Sequence, residues 1–208
     1  MRAIPREVDD AYVRDAAHAY ALGLWCADGY WWSSSIGLSN VEPDLITRFG
    51  NYLLEMFPRD RLRVRIYQVE GCEPDESVLS LTDRVSIRPP VKMKRTAYHV
   101  YVNSRPLVRR FFSDRDRVSE MPATYIGPYI AGRFDGDGTF GDTPRIAYTT
   151  RSEATVDASL MESVGLKTSV LYYAKANEYC IYIHKVSWKD LEQLLRGHSW
   201  KIDRRFTL

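Results

Sequence analysis

The chain has 208 residues, 45% hydrophobic and 27% charged, with a formal net charge of +2. This composition excludes a disordered, collagen-like or low-complexity chain and supplies enough apolar side chains for a core without covalent staples. No long uncharged apolar run is present and the N-terminal stretch lacks an apolar signal core, so the expectation is a cytoplasmic protein with no membrane partner. Three scattered cysteines, Cys26, Cys72 and Cys180, form no paired spacing and fit a reducing compartment. Of the 29 basic residues 22 are arginine, whose fork matches phosphate oxygens and guanine edges. Genomic base composition produces the same bias, so charge alone identifies no partner.

In chain order, the apolar stretch ending at Asp28 reads as a helix, and residues 31–39 as a strand with Ile36 and Leu38 on one face. A helix starts at Pro43 and Asp44, with Leu45, Phe49, Leu53 and Leu54 at helical spacing. Residues 61–67 alternate strictly and predict a strand; 98–102 alternate likewise; 106–112 read as a closing helix. Between them, about 71–96 is punctuated by Gly71, Pro74, Pro89 and Pro90 and reads as an inserted loop or hairpin. Its basic end, residues 91–95, is either a solvated loop or a flap for an anionic partner. The order then recurs, with a strand at 145–150, a helix at 152–164, strands at 167–174 and 179–184, and a helix at 187–196. The chain therefore divides into two similar halves, 10–118 and 119–208. Trp25, Trp188 and Trp200 read as packing residues.

Two segments anchor this duplication. Ala21–Tyr30 and Ile130–Thr139 align without gaps, pairing Gly23, Ala27, Asp28 and Gly29 with Gly132, Gly136, Asp137 and Gly138. On a helix the small residues four apart share one face and let two backbones approach closely. Pseudo-two-fold symmetry then brings the same end of each helix to one point. Asp28 and Asp137 fall at these C-terminal ends, each before a glycine suited to a left-handed exit. Carboxylates there oppose the helix macrodipole, so the pattern calls for a cation. Carboxylates with the carbonyls of Ala27 and Gly136 are hard oxygen ligands suited to Mg²⁺. A calcium loop opening at Asp135 is excluded, because Phe140 and Ile146 stand where glycine and glutamate are required.

At these residues the chain resembles the LAGLIDADG homing endonucleases in their single-chain, two-motif form; IAGRFDGDG (130–138) is a close match and ALGLWCADG (21–29) a looser one. The resemblance covers nearly the whole chain. It implies an α+β fold of two pseudo-symmetric αββαββα halves forming a DNA-binding saddle of antiparallel sheets. It further implies that Asp28 and Asp137 bind Mg²⁺, with Mn²⁺ able to substitute, and that each half cuts one strand of double-stranded DNA. The family's earlier motif acid matches Asp135 but is Cys26 in the first motif, which weakens helix capping more than catalysis. The family's basic residue near the end of each half falls at Lys201 in the second half. In the first half no lysine matches, leaving Arg117 or else Arg115, which offset charge but cannot act as a base.

The alternating strands supply reading faces. Arg61, Arg63, Arg65 and Tyr67 point away from Leu62, Val64 and Ile66, with edge-strand protection as the competing explanation. Ser33, Ser35 and Ser39 form a second outward set, and His99, Tyr101 and Asn103 a third. In the second half Arg145, Thr149 and Arg151 share a face, as do Lys167, Ser169, Tyr173 and Lys175, and Tyr182 with His184. Such side chains suit major-groove edges, and their difference between halves implies an asymmetric target. The expectation is a monomeric, site-specific, metal-dependent endonuclease of the intron-homing kind. The competing reading is a non-cleaving nucleic-acid-binding protein of the same fold, an RNA maturase or DNA-binding regulator. An intein domain is disfavoured, since no splicing residues flank the chain.

Overall fold

In the computed structural model, which describes residues 15–89 and 94–206, the first motif lies on α1 (Ala16–Asp28). Asp15 caps it, accepting from the His18 amide at 2.8 Å. The chain passes directly into β1 (Gly29–Trp32) and then β2 (Ser35–Asn40). Next come α2 (Pro43–Met56), opened by the proline at its first turn, and β3 (Arg63–Tyr67). After these lie α3 (Glu76–Leu79), β4 (Val85–Arg88), β5 (Ala97–Asn103) and α4 (Arg105–Asp116). The second motif lies on α5 (Ala123–Asp137) and continues into β6 (Gly138–Thr139), β7 (Arg145–Tyr148), α6 (Arg151–Ser163), β8 (Thr168–Tyr173) and β9 (Glu178–Ile183). The last elements are α7 (Trp188–Leu195) and α8 (Trp200–Phe206).

The described residues form two compact units, Asp28–Phe111 and residues 15–27 with 112–206. The first holds a five-stranded sheet of order β1-β2-β5-β3-β4, antiparallel except for the parallel β3–β4 pair. Ile36, Leu38, Val64, Ile66, Val100 and Val102 are buried on one face, with Leu45, Ile46, Phe49 and Leu53 of α2 and Phe111 of α4. The second holds an antiparallel sheet of order β6-β7-β9-β8. Its core joins Ile146, Ile181 and Ile183 to Ala154 and Met161 of α6 and Leu191 and Leu195 of α7. Each fully buried aliphatic side chain contributes about 1.5–3 kcal/mol, so the period-2 strands and amphipathic helices specify these layers. No helix among the described residues is long and apolar enough to cross a membrane.

Several sequence expectations are corrected. The strand expected over 31–39 is a hairpin, because Ser33 takes a left-handed φ of 56° at its turn, a conformation that a serine does not announce. The strand expected from Arg61 begins at Arg63; Arg61 closes a short 3-10 turn. The stretch 71–96 is no simple loop. Asp75 caps α3 through the Ser77 amide at 2.9 Å, Val78 is buried, and β4 extends the sheet beside β3. Residues 91–93 of the basic segment lie outside the described residues, while Arg95 pairs with Glu42 at 2.7 Å. The helix α8 carries too little apolar periodicity to be read in advance. Neither motif glycine makes a left-handed exit. Gly138 is extended (φ −82°, ψ 148°), and glycine is needed there because a Cβ would strike the Phe134 carbonyl and ring.

Candidate nucleic-acid face and acidic helix ends

Within the second unit, α1 crosses α5 at backbone contact. A Cβ on Gly23 would fall on the Tyr129 carbonyl, and one on Gly132 on the Tyr20 carbonyl and the Leu24 amide. Backbone cannot yield as a flexible side chain can, so the small-residue spacing is a packing requirement.

The last turn of α5 is densely tied. The buried Asp135 carboxylate accepts from Tyr20 Oη at 2.7 Å, Ser199 Oγ at 2.6 Å, the Trp200 amide at 2.7 Å and the Lys201 amide at 3.0 Å. It thereby caps α8 and orients Lys201. Lys201 Nζ then donates to three carbonyls, Phe134 at 3.1 Å, Gly136 at 3.3 Å and Gly138 at 2.7 Å. An ammonium at this end offsets the negative pole of the helix and donates to the Gly136 carbonyl in its last turn, while the Phe134 carbonyl also accepts from the Gly138 amide. Asp137, the last helical residue, lies between Gly136 and Gly138, whose carbonyls take this ammonium.

At the end of α1, in the first unit, Asn40 Nδ2 donates to Asp28 Oδ2 at 2.7 Å, while Asn40 Oδ1 accepts from the Glu42 amide at 2.8 Å. Sequence reasoning missed Asn40, although an asparagine two residues before Glu42 and three before Pro43 is itself a helix-start signal. Cys26, at the position matching Asp135, belongs to the second unit. There it lines a cavity of about 380 Å³ together with Arg115, Asp116, Tyr129, Arg133, Glu153 and Asp157. Burial pushes its thiol up to about 12, partly opposed by Arg133, so it is a poor nucleophile at neutral pH. Asp157 accepts from Tyr129 Oη at 3.0 Å, Tyr148 Oη at 2.9 Å and Arg133 Nε at 3.1 Å. Burial raises this carboxyl against the opposing pull of Arg133 and the two hydroxyls.

The first-half candidates Arg117 and Arg115 are engaged locally. Arg117 pairs with Glu120 at 2.7 Å, and Arg115 pairs with Asp116 at 3.0 Å and lies over the Phe112 ring.

Residues opposed across antiparallel strands share a face. On the outward face of the first sheet, Trp32–Ser35–Asn103 form one row, Tyr30–Gly37–Tyr101–Arg63 the next, and Ser39–His99–Arg65–Ser86 a third. Tyr67 follows, and Arg61 reaches this face from its turn, its Nη2 donating to the Asn103 carbonyl at 3.3 Å. Ser33 is exposed at the hairpin turn. His99 departs from expectation. It faces outward yet is only 3% exposed, wedged between the rings of Tyr30 (4.1 Å) and Tyr101 (4.8 Å). Gly37 leaves the room, since a Cβ there would meet Tyr101. Desolvation, reinforced by Arg65, lowers the imidazole to about 4, and its Nε2 has no hydrogen-bond partner.

On the outward face of the second sheet, Arg145, Tyr182 and Ser169 lie in one row, and Arg145 rests over the Tyr173 ring at 5.2 Å. Ser169 Oγ and His184 Nε2 are 2.7 Å apart. Thr149 and Arg151 leave this face, because Thr149 lies in a bend after β7 and Arg151 opens α6. Lys167 precedes β8 and Lys175 lies in the turn between β8 and β9.

No family model matches the sequence, and no curated protein matches it. Solved structures do match in fold. I-DmoI in complex with DNA and Ca aligns with TM-score 0.67 over 93% of this chain and 98% of that one, at 12% identity. The chain has the LAGLIDADG fold of I-DmoI. I-DmoI in complex with DNA and Mn aligns at TM-score 0.62 and 14% identity, over 88% of this chain and 98% of that one. The N-terminal LAGLIDADG domain of DUF199/WhiA aligns at TM-score 0.58 and 14% identity, over 93% and 90% respectively. The LAGLIDADG fold thus accounts for both sheets and for the motif helices.

Among the described residues no cluster of three His, Cys, Asp or Glu side chains is poised to hold a metal. The ends of the motif helices nevertheless fit a hard divalent ion. Each offers a carboxylate beside helix-terminal carbonyls, and the carbonyls of α5 already take a positive group.

Proposed function

We propose that the chain is a metal-dependent DNA endonuclease that cuts both strands of a long asymmetric duplex, working as a monomer. The observation that carries this reading is the pair of acids closing the motif helices, Asp28 and Asp137, on a fold shared with I-DmoI. In it, Asp28 with the Ala27 carbonyl, and Asp137 with the Gly136 carbonyl, each hold Mg²⁺ beside one scissile phosphate. The ion supplies positive charge there and activates water. Asn40 orients Asp28. Arg63, Arg65, Asn103, Arg145 and Ser169 read bases or phosphates from the outward sheet faces, whose arginines and hydroxyls suit such contacts.

The test is selection of cleaved sites from a randomised duplex pool with Mg²⁺, followed by Asp28→Asn and Asp137→Asn on the selected site. Each variant is expected to lose cutting of one strand while keeping DNA affinity. Full double-strand cleavage by either variant overturns the assignment. Tight sequence-specific binding with no cleavage by the unaltered chain favours the non-cleaving reading instead.

A further inference from the structure

Resting on the proposed metal role of Asp137, the geometry points to a second function for Lys201. We propose that its ammonium is a resident competitor of the divalent ion at the end of α5, and that metal binding displaces it. An ammonium has three donors, and all three face carbonyls, those of Phe134, Gly136 and Gly138. None is left for a phosphate while this arrangement holds. The placement is built in. Asp135 grips the Ser199 hydroxyl and the Trp200 and Lys201 amides, so the first turn of α8 delivers the lysine stem onto the end of α5.

The Gly136 carbonyl is also the oxygen assigned to the ion. Two cations on one carbonyl oxygen stand within a few ångströms and repel, so one must leave. The ammonium is the mobile partner, carried on a flexible four-carbon stem. In the metal-free protein it neutralises the helix end and keeps Asp137 from facing uncompensated carbonyls. Once displaced, it stays tethered beside Asp137 with its donors open, where it can meet the phosphate. Lys201 is thus a positioning residue without metal, and its charge becomes available only in the loaded state.

The test is Mn²⁺ titration of the full chain, followed by electron paramagnetic resonance, in an Asp28→Asn background that leaves Asp137 as the motif acid. Lys201→Met is expected to tighten Mn²⁺ binding about tenfold by removing the competing charge; unchanged or weaker binding overturns the proposal. A second measurement keeps the question open to refutation if Lys201→Met fails to fold. In the unaltered chain, Mg²⁺ is expected to raise the rate at which an amine reagent modifies Lys201, and a rate that is unchanged or lower overturns the proposal. Asp137→Asn separates the two readings. Binding lost there but unaffected by Lys201→Met refutes the exchange alone. Binding that survives Asp137→Asn refutes the metal assignment and the exchange with it.

Discussion

At the end of α5 one carboxylate takes four hydrogen bonds and one ammonium spans three carbonyls, whereas the same position of α1 carries a thiol beside a cavity. The first motif helix is secured at its other end. Buried His18 meets buried Asp114, the last-turn residue of α4, at 2.7 Å. The contrast assigns roles within the motif. Its earlier acid is a structural tie that docks α8, while its last acid, at the helix terminus, is the one the proposed function uses. A chain can lose the first in one copy and keep the second, as Cys26 and Asp28 show.

Removing each side chain tests this most severely. Asp135→Ala would leave the buried Ser199 hydroxyl and the half-buried Trp200 and Lys201 amides without their acceptor, at an expected cost of about 4 kcal/mol. Cys26→Ala only enlarges an existing cavity, at about 1 kcal/mol. Equilibrium unfolding in urea measures both, and similar costs would break the distinction.

How much of this was legible depended on whether the deciding physics was local. Gly23 and Gly132 could be read from spacing, because close helix packing demands small residues at fixed intervals. Asp28 and Asp137 could be read because their position opposes the helix dipole. The hairpin turn at Ser33 could not, since no glycine or asparagine marks a left-handed residue there. Nor could the target of Lys201, which is set by Asp135 sixty-six residues away across the Lys201 amide bond. The outward face of His99 is legible, but its burial is not, because it needs the Tyr30 ring of β1 beside the Tyr101 ring of its own strand, a cross-strand contact that no single strand reveals.

The outward faces of the two sheets differ in what they bury. In the first, the titratable His99 is sealed under Tyr30 and Tyr101; in the second, the position matching it in register is Cys180, a thiol that is also buried. Since the folded state holds the imidazole near 4 and the unfolded chain near its ordinary value, neutral His99 stabilises the fold fully above about pH 6.5. That contribution, on the order of 3 kcal/mol, is lost as the pH falls through the folded value near 4. Urea unfolding of the unaltered chain and of His99→Phe across this window is expected to give a shallower decline for the variant. Parallel declines would mean that the ring is not the titrating element.

The smallest expected effect concerns Asn40, the tie to Asp28 at the end of α1. An amide can orient Asp28 and cap the entry to α2 at once, but it brings no charge to offset the carboxylate. Asn40→Ala removes both bonds from a partly buried site open to water, so the expected loss is about 1 kcal/mol. Because Asn40→Ala removes no positive charge, the variant should also leave Mn²⁺ affinity at Asp28 unchanged or weaker, the opposite sign to Lys201→Met. Tighter Mn²⁺ binding on losing Asn40 would show that the two helix ends handle positive charge alike, and the contrast between them would fail.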